Sequence, residues 1–450
     1  WNYTIGGVYK HYSKNSFQTI VLSRNMLNNV ATKYEDNDES DPSKKILEYG
    51  SREQENKLRI ENTYRKNDFK LNLGVNFENV VYSNNTFNKI ATTNGIIIRD
   101  FTSELDFLKY GIFGQASKLF IDGRLTVSLG FRTDGANYNS NMANLLNQFS
   151  PRISASYAFN EKWSLNFNTG RYYQLTPYTV LGYRDAAGDL VNKSTTTYIQ
   201  SDHIVAGVQH NPNESTKITV EGFYKGYSNY PMLLTDSISL ANLGADFGVI
   251  GNEPTASINE GRAFGVEFLV QRRASNGIYG ILAYTFVRSQ FKNADGDFIS
   301  SAWDSRNFVT LTTGKKFKNN WEAGLRWRYA GGLPYTPFDV DASSNIQNWN
   351  VTGAGVRDFD QLNSLRLDAF SQLDIRVDKT WFLEKLSINL YVDIQNVYNA
   401  AADQPAFLDV VRDDMGNPLV NPLDPTQYQT QFINNSAGTI LPTIGIIVDF

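Results

Sequence analysis

Three histidines, His11, His203 and His210, are the side chains best suited to acid–base chemistry near neutral pH. A hydrolase would need one of them beside a nucleophile or paired carboxylates. His11 and His210 lie close to short turns. His203 follows Asp202 on a strand, where adjacent side chains point to opposite faces. We therefore expect no catalytic site. No glycine-rich loop follows a strand and opens a helix, so nucleotide binding has no support.

Metal-ligating residues are sparse. The sequence contains no cysteine, which excludes thiolate sites and disulfides, and only 3 His and 4 Met. Acidic residues cluster at 35–41, but this stretch lacks the glycine and the closing glutamate of a calcium loop. We interpret it as a solvated loop, and we expect neither a bound metal nor a cofactor.

Aromatic and arginine side chains near strand ends are the remaining candidates for ligand contact, because they stack on and hydrogen-bond to organic groups. Some precede or open the connection 176–197, and the others stand in or beside later connections. The candidates are Arg171, Tyr172, Tyr173, Tyr178, Trp303, Tyr335, Trp349 and Arg357. Loop packing is the alternative role for each of them.

Strands with strict alternation must position these residues. In 386–394, 69–77 and 321–329, every second residue is apolar and most of the residues between are polar. Each apolar run covers about 9–11 residues, the length with which a tilted strand crosses hydrocarbon. About 17 such strands follow one another, with no helical segment between them.

Short and long connections alternate between the strands. Connections of roughly a dozen to forty residues separate successive tight turns, which is typical of a barrel with short periplasmic turns and long extracellular loops. The eight tight turns lie at Lys14-Asn15, Lys66-Asn67, Asp122-Gly123, Asn160-Lys162, Pro212-Ser215, Ser275-Asn276, Lys318-Asn320 and Leu383-Lys385.

Composition agrees with a barrel without requiring one. Hydrophobic residues make up 41% and aromatic residues 13% of the chain, and no run approaches a spanning helix. A net charge of −4 does not indicate the basic surface that nucleic-acid binding requires. A large soluble β-protein is the alternative, but no propeller repeat appears. Aromatic residues near the short turns favour a membrane girdle: Phe159, Trp163, Phe317, Trp321, Trp381 and Phe382.

The carboxyl end supports the membrane barrel. Thr443, Gly445, Val448 and Phe450 follow the spacing of an outer-membrane assembly signal that ends in an aromatic residue. A bare strand at the end of a soluble protein would be an aggregation-prone edge. The alternative is an apolar tail that fits the pattern by chance. We predict an all-β, transmembrane antiparallel β-barrel.

Several segments in order resemble TonB-dependent outer-membrane receptors. Residues 261–268 are similar to the family's GxxxGxE strand, 327–337 to its segment with a Gly-x-Pro-Tyr-Thr-Pro core, and 390–399 to its penultimate strand. Residues 149–152 and 170–174 resemble a mid-barrel hairpin. The resemblance covers roughly residues 150–450.

The resemblance implies a barrel of 22 strands filled by an N-terminal plug. The first and last strands both run from the long-loop side, and this parity fits a chain that lacks five strands. We therefore interpret residues 1–450 as a barrel portion, with the plug and about five first strands missing. Without them the sheet does not close on itself.

The resemblance also implies a function without covalent chemistry. The expected role is active import of a scarce nutrient (a siderophore, glycan, peptide or vitamin) across the outer membrane, with energy from the TonB complex. The TonB complex would be contacted through the missing N-terminal part. Lipid, lipopolysaccharide and a lipoprotein lid are the other expected partners. A passive porin, and a barrel scaffold for a secretion or surface complex, are the alternatives.

Overall fold

The structure, a computed structural model, describes residues 1–92, 95–243, 251–434 and 436–450. Its main feature is a 19-stranded antiparallel sheet in which each long strand pairs with the next along the chain. The seventeen long strands are β1 (Asn2–Tyr12), β2 (Ser16–Tyr34), β3 (Lys45–Lys66), β4 (Phe69–Thr92), β5 (Gly95–Phe120), β6 (Leu125–Ala136), β7 (Ser150–Ala158), β8 (Trp163–Gln174), β9 (Ile199–Asn213), β10 (Thr216–Leu233), β11 (Thr255–Ser275), β12 (Ile278–Lys292), β13 (Arg306–Lys316), β14 (Trp321–Ala330), β15 (Phe370–Phe382), β16 (Ser387–Gln395) and β17 (Leu441–Asp449). The predicted strand number is confirmed.

Small elements occupy the connections. Two short strands, Ile238–Ser239 and Phe298–Ser300, extend the main sheet. Short strand pairs in the loops join Pro334–Tyr335 to Leu365–Arg366, Phe338–Asp339 to Val356–Arg357, Phe407–Val410 to Thr430–Ile433, and Val420–Asn421 to Asp424–Tyr428. The α-helices are α1 (Ser140–Ala143), α2 (Tyr178–Leu181), α3 (Val340–Ser344) and α4 (Ile346–Thr352). The 3-10 turns are Glu35–Asn37, Pro42–Lys44, Leu145–Gln148, Val191–Lys193, Leu240–Asn242, Lys318–Asn320 and Phe359–Gln361. Within the described ranges, no helix has the length and apolarity needed to span a bilayer.

All eight predicted tight turns are confirmed, and local chemistry explains why they were recognisable. Between β11 and β12, Asn276 and Gly277 both have positive φ, 53° and 76°. Two such residues make the turn whose twist matches that of antiparallel strands, and Asn-Gly is its preferred pair. Asn67, between β3 and β4, also has a positive φ of 50°.

The connection between β4 and β5 differs from the prediction. A long polar loop is expected there, but β4 and β5 continue for 24 and 26 residues. They stay in register from the Phe69–Lys118 pair to the Thr92–Gly95 pair, which leaves only positions 93–94, outside the described residues. The strict alternation of short and long connections is therefore wrong at this hairpin.

An inversion of the hydrophobic pattern explains the length of β4. In its first part, Leu73 and Phe77 lie on one face and are 46% and 45% exposed. Beyond Asn79, Val80 and Tyr82 lie on the opposite face and are completely buried. We call the face of Leu73 the outer face and that of Val80 the inner face. β4 and β5 pair without a register shift. The backbone pairing is therefore continuous, and only the face that carries the apolar side chains changes.

β5 shows the same inversion at the same level. Ile112 and Leu108 are exposed on the outer face, whereas Phe107, Leu105 and Phe101 are buried on the inner face. Outer apolar groups suit contact with lipid, and inner apolar groups suit packing under loops in water. The change of face therefore places the extracellular limit of the apolar zone near Asn79.

A row of polar side chains crosses the outer face at this limit. Arg24 donates from Nε to the Tyr3 hydroxyl at 3.0 Å and from its terminal nitrogens to Asn56 and Gln54 at 3.2 and 2.8 Å. Asn56 in turn donates to Asn79 at 3.4 Å. Cross-strand hydrogen bonds of this kind keep an arginine paired beside an apolar surface.

The tight-turn end carries the predicted aromatic girdle. All six of its aromatic side chains are exposed. Trp163 stacks on His210 with ring centroids 4.0 Å apart, and the Lys379 ammonium lies 5.5 Å from the Trp321 ring and 5.6 Å from the Trp381 ring. Amphipathic rings beside cations suit a membrane–water interface.

Strand β17 shows why glycine stands at position 445. Gly445 lies opposite Tyr391 of β16, and a Cβ on Gly445 would overlap the Tyr391 ring. The Arg376 guanidinium covers this ring at 3.9 Å. Thr443 shares the inner face, whereas Val448, paired with Ile388, lies on the outer face. Gly445 thus makes room for an interior stack.

Strands β1 and β17 form the two edges of the sheet. Within the described residues, β1 pairs only with β2, and β17 only with β16. All eleven residues of β1 are exposed on both faces. Such edges leave backbone N–H and C=O groups without partners.

Spin labels can locate the membrane boundary, since the sequence contains no cysteine. We expect a nitroxide at Phe77→Cys, on the lipid side of the limit, to be more accessible to oxygen than to a water-soluble nickel complex. A nitroxide at Ser83→Cys, on the same face but beyond Asn79, should be more accessible to the nickel complex. Electron paramagnetic resonance in bilayers measures both accessibilities. Equal oxygen accessibility at the two sites would contradict the assigned limit.

Gly445→Ala should destabilise the sheet because the added methyl group displaces the Tyr391 ring. Overpacking of this kind costs about 1–3 kcal/mol. Gly50→Ala is the matched control, since a Cβ at Gly50 meets nothing within 4 Å. The free energy of unfolding in detergent should fall for the first variant and change little for the second. Equal losses in both would show that Tyr391 has no such role.

Candidate ligand-binding face

The connection between β8 and β9 covers the inner face of β4 and β5 beyond the membrane limit. Leu181 of α2 is fully buried against Val80, Tyr82, Leu105 and Phe107. Tyr138 and Met142 of the β6–β7 connection join the same cluster, and the Tyr138 hydroxyl donates to the Leu181 carbonyl at 2.7 Å. We call this group the inner loop cluster. It fixes two extracellular loops on the strand wall.

Asn192 ties a third connection to the inner loop cluster. Its side chain is 1% exposed and donates to the carbonyls of Val180 and Glu253 at 2.8 and 2.9 Å. Its oxygen accepts from the Thr255 N–H at 2.8 Å. Arg99 of β5 binds Glu253 at 3.2 Å. A buried amide with all these partners holds loops rigidly.

Tyr178 connects this cluster to charged groups of the strands. Its hydroxyl donates to Glu55 Oε1 at 2.7 Å and accepts from Lys109 Nζ at 3.1 Å. Lys109 also forms an ion pair with Glu78. Burial and the Glu55 carboxylate raise the pKa of the Tyr178 phenol. The phenol therefore stays protonated and able to donate at any physiological pH.

Tyr172, unlike its neighbour Arg171, faces the interior. The Arg152 guanidinium lies 4.3 Å from the Tyr172 ring centroid, and the His203 ring lies 4.4 Å away. Arg171 is on the opposite face, where it binds Asp202 with two hydrogen bonds of 2.7 and 3.0 Å. Tyr172 thus faces the interior, and Arg171 lies on the outer face.

Tyr173 contributes to loop packing. Its ring contacts the inner loop cluster, and its hydroxyl donates to Gln200 Oε1 at 3.2 Å. This hydrogen bond holds the end of β8 against β9. The geometry therefore favours loop packing over ligand contact for Tyr173.

Trp349 lies inside a second cluster, which the β14–β15 and β16–β17 connections form together. It is 4% exposed and packs with Leu408, Val410, Phe338 and Tyr428. A ligand would reach the Trp349 ring only after these loops separate. The geometry favours a packing role here.

Arg357 lines a cavity between the extracellular connections. Its guanidinium covers the Phe338 ring at 4.0 Å and donates to the Thr336 carbonyl at 2.8 Å. The cavity has a volume of about 430 Å³. Carboxylates dominate its polar lining: Asp236, Asp295, Asp339, Asp358 and Asp360. Carboxylates and one guanidinium suit recognition of hydroxyl or cationic groups.

Trp303 precedes a buried carboxylate, and Tyr335 lies in a short strand that pairs with the strand of Arg366. Asp304 is completely buried and binds Arg366 at 3.0 Å and Arg288 at 3.3 Å. Trp303, next to Asp304 in the sequence, is 46% exposed. Tyr335 lies in the short strand Pro334–Tyr335, in which Pro334 pairs with Arg366. Asp304 therefore fixes the loop from which the Trp303 ring reaches solvent.

The acidic stretch 35–41 is used for local turns. Asp38 binds Lys44 at 2.7 Å and accepts from the Ser40 N–H at 3.1 Å, contacts that lower the pKa of Asp38 to about 2. Asp41 caps the turn Pro42–Lys44. In the described part of the chain, no three His, Asp or Glu side chains meet in a geometry that could hold a metal ion.

Among the residues that the structure describes, the histidines form no catalytic triad. Ser201 Oγ lies 2.7 Å from His203 Nε2. However, Asp202 faces the other side of the sheet, where Arg171 occupies it. His210 stacks on Trp163 at the tight-turn end. These contacts are structural ones.

Sequence reasoning missed Glu55, Lys109 and Asp304, which organise the loops. Glu55 and Tyr178 are 123 positions apart, and Arg366 and Asp304 are 62 apart. No spacing signal links such partners.

Comparison with known proteins identifies the family. A model described as "TonB dependent receptor-like, beta-barrel" matches residues 1–397. A search of curated proteins returns no match.

Solved structures share the fold at low identity. The ferripyoverdine receptor of the Pseudomonas aeruginosa outer membrane has 13% identity and a TM-score of 0.62, and the alignment covers 99% of this chain and 56% of that one. The ferric yersiniabactin uptake receptor FyuA from Yersinia pestis has 13% identity, a TM-score of 0.60 and coverages of 100% and 61%. The copper transporter OprC has 14% identity, a TM-score of 0.62 and coverages of 100% and 65%.

The present chain thus spans 56–65% of the length of these three proteins. The family match covers most of the chain and agrees with the meander, the tight turns and the loop-covered inner face. The chain belongs to the family of TonB-dependent receptor β-barrels, which are outer-membrane transport receptors of Gram-negative bacteria and not enzymes.

Proposed function

We propose that this chain is the barrel portion of an outer-membrane receptor that imports a scarce nutrient with energy from the TonB complex. The family match over residues 1–397 carries the proposal. The cargo is a siderophore, glycan, peptide or vitamin, captured at the loop end and released through the interior. Contact with the TonB complex runs through a segment outside residues 1–450. Lipopolysaccharide surrounds the outer face, and a lipoprotein lid at the loops is a further partner.

The arrangement of the loops supports capture at this end. The inner loop cluster and the Trp349 cluster hold the connections in place by buried contacts. A binding face that is already ordered loses less conformational entropy when it takes a ligand. Tyr172, Trp303, Tyr335 and Arg357 are the candidate contacts, and Arg171, Tyr173, Tyr178 and Trp349 hold the surroundings.

The open edges support a barrel completed by further strands and a plug. Strand β1 is exposed on both faces, and no described residue pairs with its free edge. In a bilayer, unpaired backbone groups are costly, so closed barrels are the β-structures found there. About five further strands would bring the seventeen to the 22 of the family's barrels.

Mass spectrometry of the native protein tests this completion. We expect the mature species to exceed the 50.8 kDa of these residues by the mass of the additional strands and a plug. A mature protein of 50.8 kDa that inserts into membranes and transports would contradict the proposal.

Conductance distinguishes the receptor from a passive porin. We expect the full-length protein, purified from membranes, to show little ion conductance in planar bilayers in KCl, because a plugged receptor has no open channel. A large constitutive conductance would favour the porin. A known porin reconstituted in parallel verifies that the bilayers report open channels.

Tyr178→Phe should loosen the inner loop cluster, because Glu55 loses a hydrogen-bond donor. Removing a hydrogen bond to a charged group costs about 1.5–3 kcal/mol. Hydrogen–deuterium exchange of the amides in 175–198 should accelerate accordingly. Tyr173→Phe, which removes a hydroxyl bonded to the neutral Gln200, is the control and should have a smaller effect. Unchanged exchange in Tyr178→Phe would show that the Glu55 contact does not hold the loop.

A further inference from the structure

A second polar row crosses the outer face, on strands β8–β12. Pairing places one residue of each strand side by side in this row: Arg171, Asp202, Gly226, Arg262 and Gln290. The next row towards the tight turns includes Ile204 and Tyr224, which are 54% and 48% exposed. Exposed apolar side chains suit contact with lipid. The polar row therefore marks the extracellular limit of the apolar zone on this side of the sheet.

This row lies away from both the interior and the edges of the sheet. Each of the strands β8–β12 is paired on both sides. Further strands that join at β1 or β17 would therefore attach elsewhere, and a plug would meet the opposite face. The surroundings of this row are set by the membrane.

Arg262 is the cation of this row that has no carboxylate partner in the described part of the chain. Gly226 and Gln290 stand opposite it on the two neighbouring strands. Its Nε donates to Gln290 Oε1 at 3.0 Å, which leaves the terminal nitrogens for a further acceptor. A guanidinium beside an apolar surface is costly unless such an acceptor satisfies it.

Two aromatic rings fix the position of the Arg262 guanidinium. It lies 4.2 Å from the centroid of the Phe298 ring and 5.8 Å from that of Phe264. The ammonium of Lys292 lies 5.6 Å from the same Phe298 ring and binds Glu260 at 2.6 Å. Stacking and the bond from Nε hold the planar fork in one orientation, so little side-chain entropy is lost when the fork takes a ligand.

Gly226 leaves a notch beside Arg262. A Cβ on Gly226 would meet only the Tyr224 ring, at 3.6 Å. Neighbouring strands lie about 4.8 Å apart, so the backbones of Asp202 and Arg262 on either side of Gly226 are separated by roughly 10 Å. Arg171 neutralises Asp202 with two hydrogen bonds, which leaves Arg262 as the unpaired charge at the notch.

We propose that this notch binds a phosphate group of a lipid in the outer leaflet of the membrane. A guanidinium fork binds phosphate with two parallel hydrogen bonds. The row lies where headgroups lie, and the exposed Ile204 and Tyr224 next to it would contact the acyl chains. This combination of a fork and an apolar surface favours a lipid phosphate over a soluble anion.

The inference deepens the proposed contact with lipopolysaccharide and rests on it, but it does not depend on import. Lipid binding is measured without transport or TonB. Failure of import would leave the lipid site intact, and failure of the lipid site would leave the import proposal unchanged. The two results are therefore distinguishable.

Native mass spectrometry of the full-length protein in detergent, titrated with bisphosphorylated lipid A, tests the site. EDTA prevents a divalent cation from bridging phosphate to Asp202. We expect Arg262→Gln to bind lipid A at least about tenfold more weakly, since hydrogen bonds to a charged group are lost. Arg262→Lys keeps the charge without the fork and should retain part of the affinity. Gly226→Val fills the notch without changing the charge and should also weaken binding.

Arg272→Gln is the matched control, because Arg272 lies on the same strand and the same face but at the tight-turn end, opposite Thr216 and Gly280. It should bind lipid A as the unaltered protein does. Heat-modifiable migration in gel electrophoresis verifies that each variant is folded. Equal weakening in Arg272→Gln and Arg262→Gln would overturn the proposal in favour of a general charge effect.

Two further probes separate the lipid from its parts. Dephosphorylated lipid A should bind more weakly than the bisphosphorylated form, and inorganic phosphate at the same concentration should not displace lipid A. Equal binding of the dephosphorylated lipid would show that acyl chains alone are recognised. Displacement by inorganic phosphate would show a site for a soluble anion. Either result, or no binding of lipid A to the unaltered protein, would overturn the proposal.

Discussion

Backbone hydrogen bonding is the constraint on which the remaining features of this chain depend. Inside a bilayer no water is available to N–H and C=O groups, so each strand must pair on both sides. Strands β2 to β16 each have a neighbour on both sides, whereas within the described residues β1 and β17 each have a neighbour on one side only. Since pairing fixes the pleat, the sequence controls only which face carries apolar side chains. Near Asn79 the apolar side chains move from the outer to the inner face, at the level where the surroundings of the strand change from lipid to water and packed loops.

Local rules made most of the fold predictable, and the same rules explain the one wrong connection. A tight turn depends on a few residues such as Asn276 and Gly277, and alternation depends on one strand at a time. The connection between β4 and β5 is shorter than predicted because the apolar alternation changes face between Phe77 and Val80. A reversal of this kind in sequence looks like the end of a strand. Only the partner strand, which reverses at the same level, shows that the strand continues.

The candidate site was less predictable because its contacts are remote in sequence. Strand alternation separates Arg171 from Tyr172, but only the register with β9 assigns Arg171 to Asp202. Trp349 has the residue type of a ligand contact, yet Leu408 and Val410, from another loop, bury it. Composition and spacing thus indicate where a loop begins, and tertiary packing decides which of its side chains remain available.

Charge pairing on the inner face differs from one part of the sheet to another. On β14 and β15, Asp374 accepts from Arg326 at 2.7 Å, lies 3.5 Å from Arg328 and accepts from the Asn396 N–H at 2.9 Å. A buried carboxylate with several donors is a structural unit. Lys70 and Arg152 have serine, glycine or arginine at the positions opposite them, although a carboxylate there would fit the same pleat. Within the described residues, Lys70 and Arg152 thus lack the cross-strand partner that Arg326 has in Asp374.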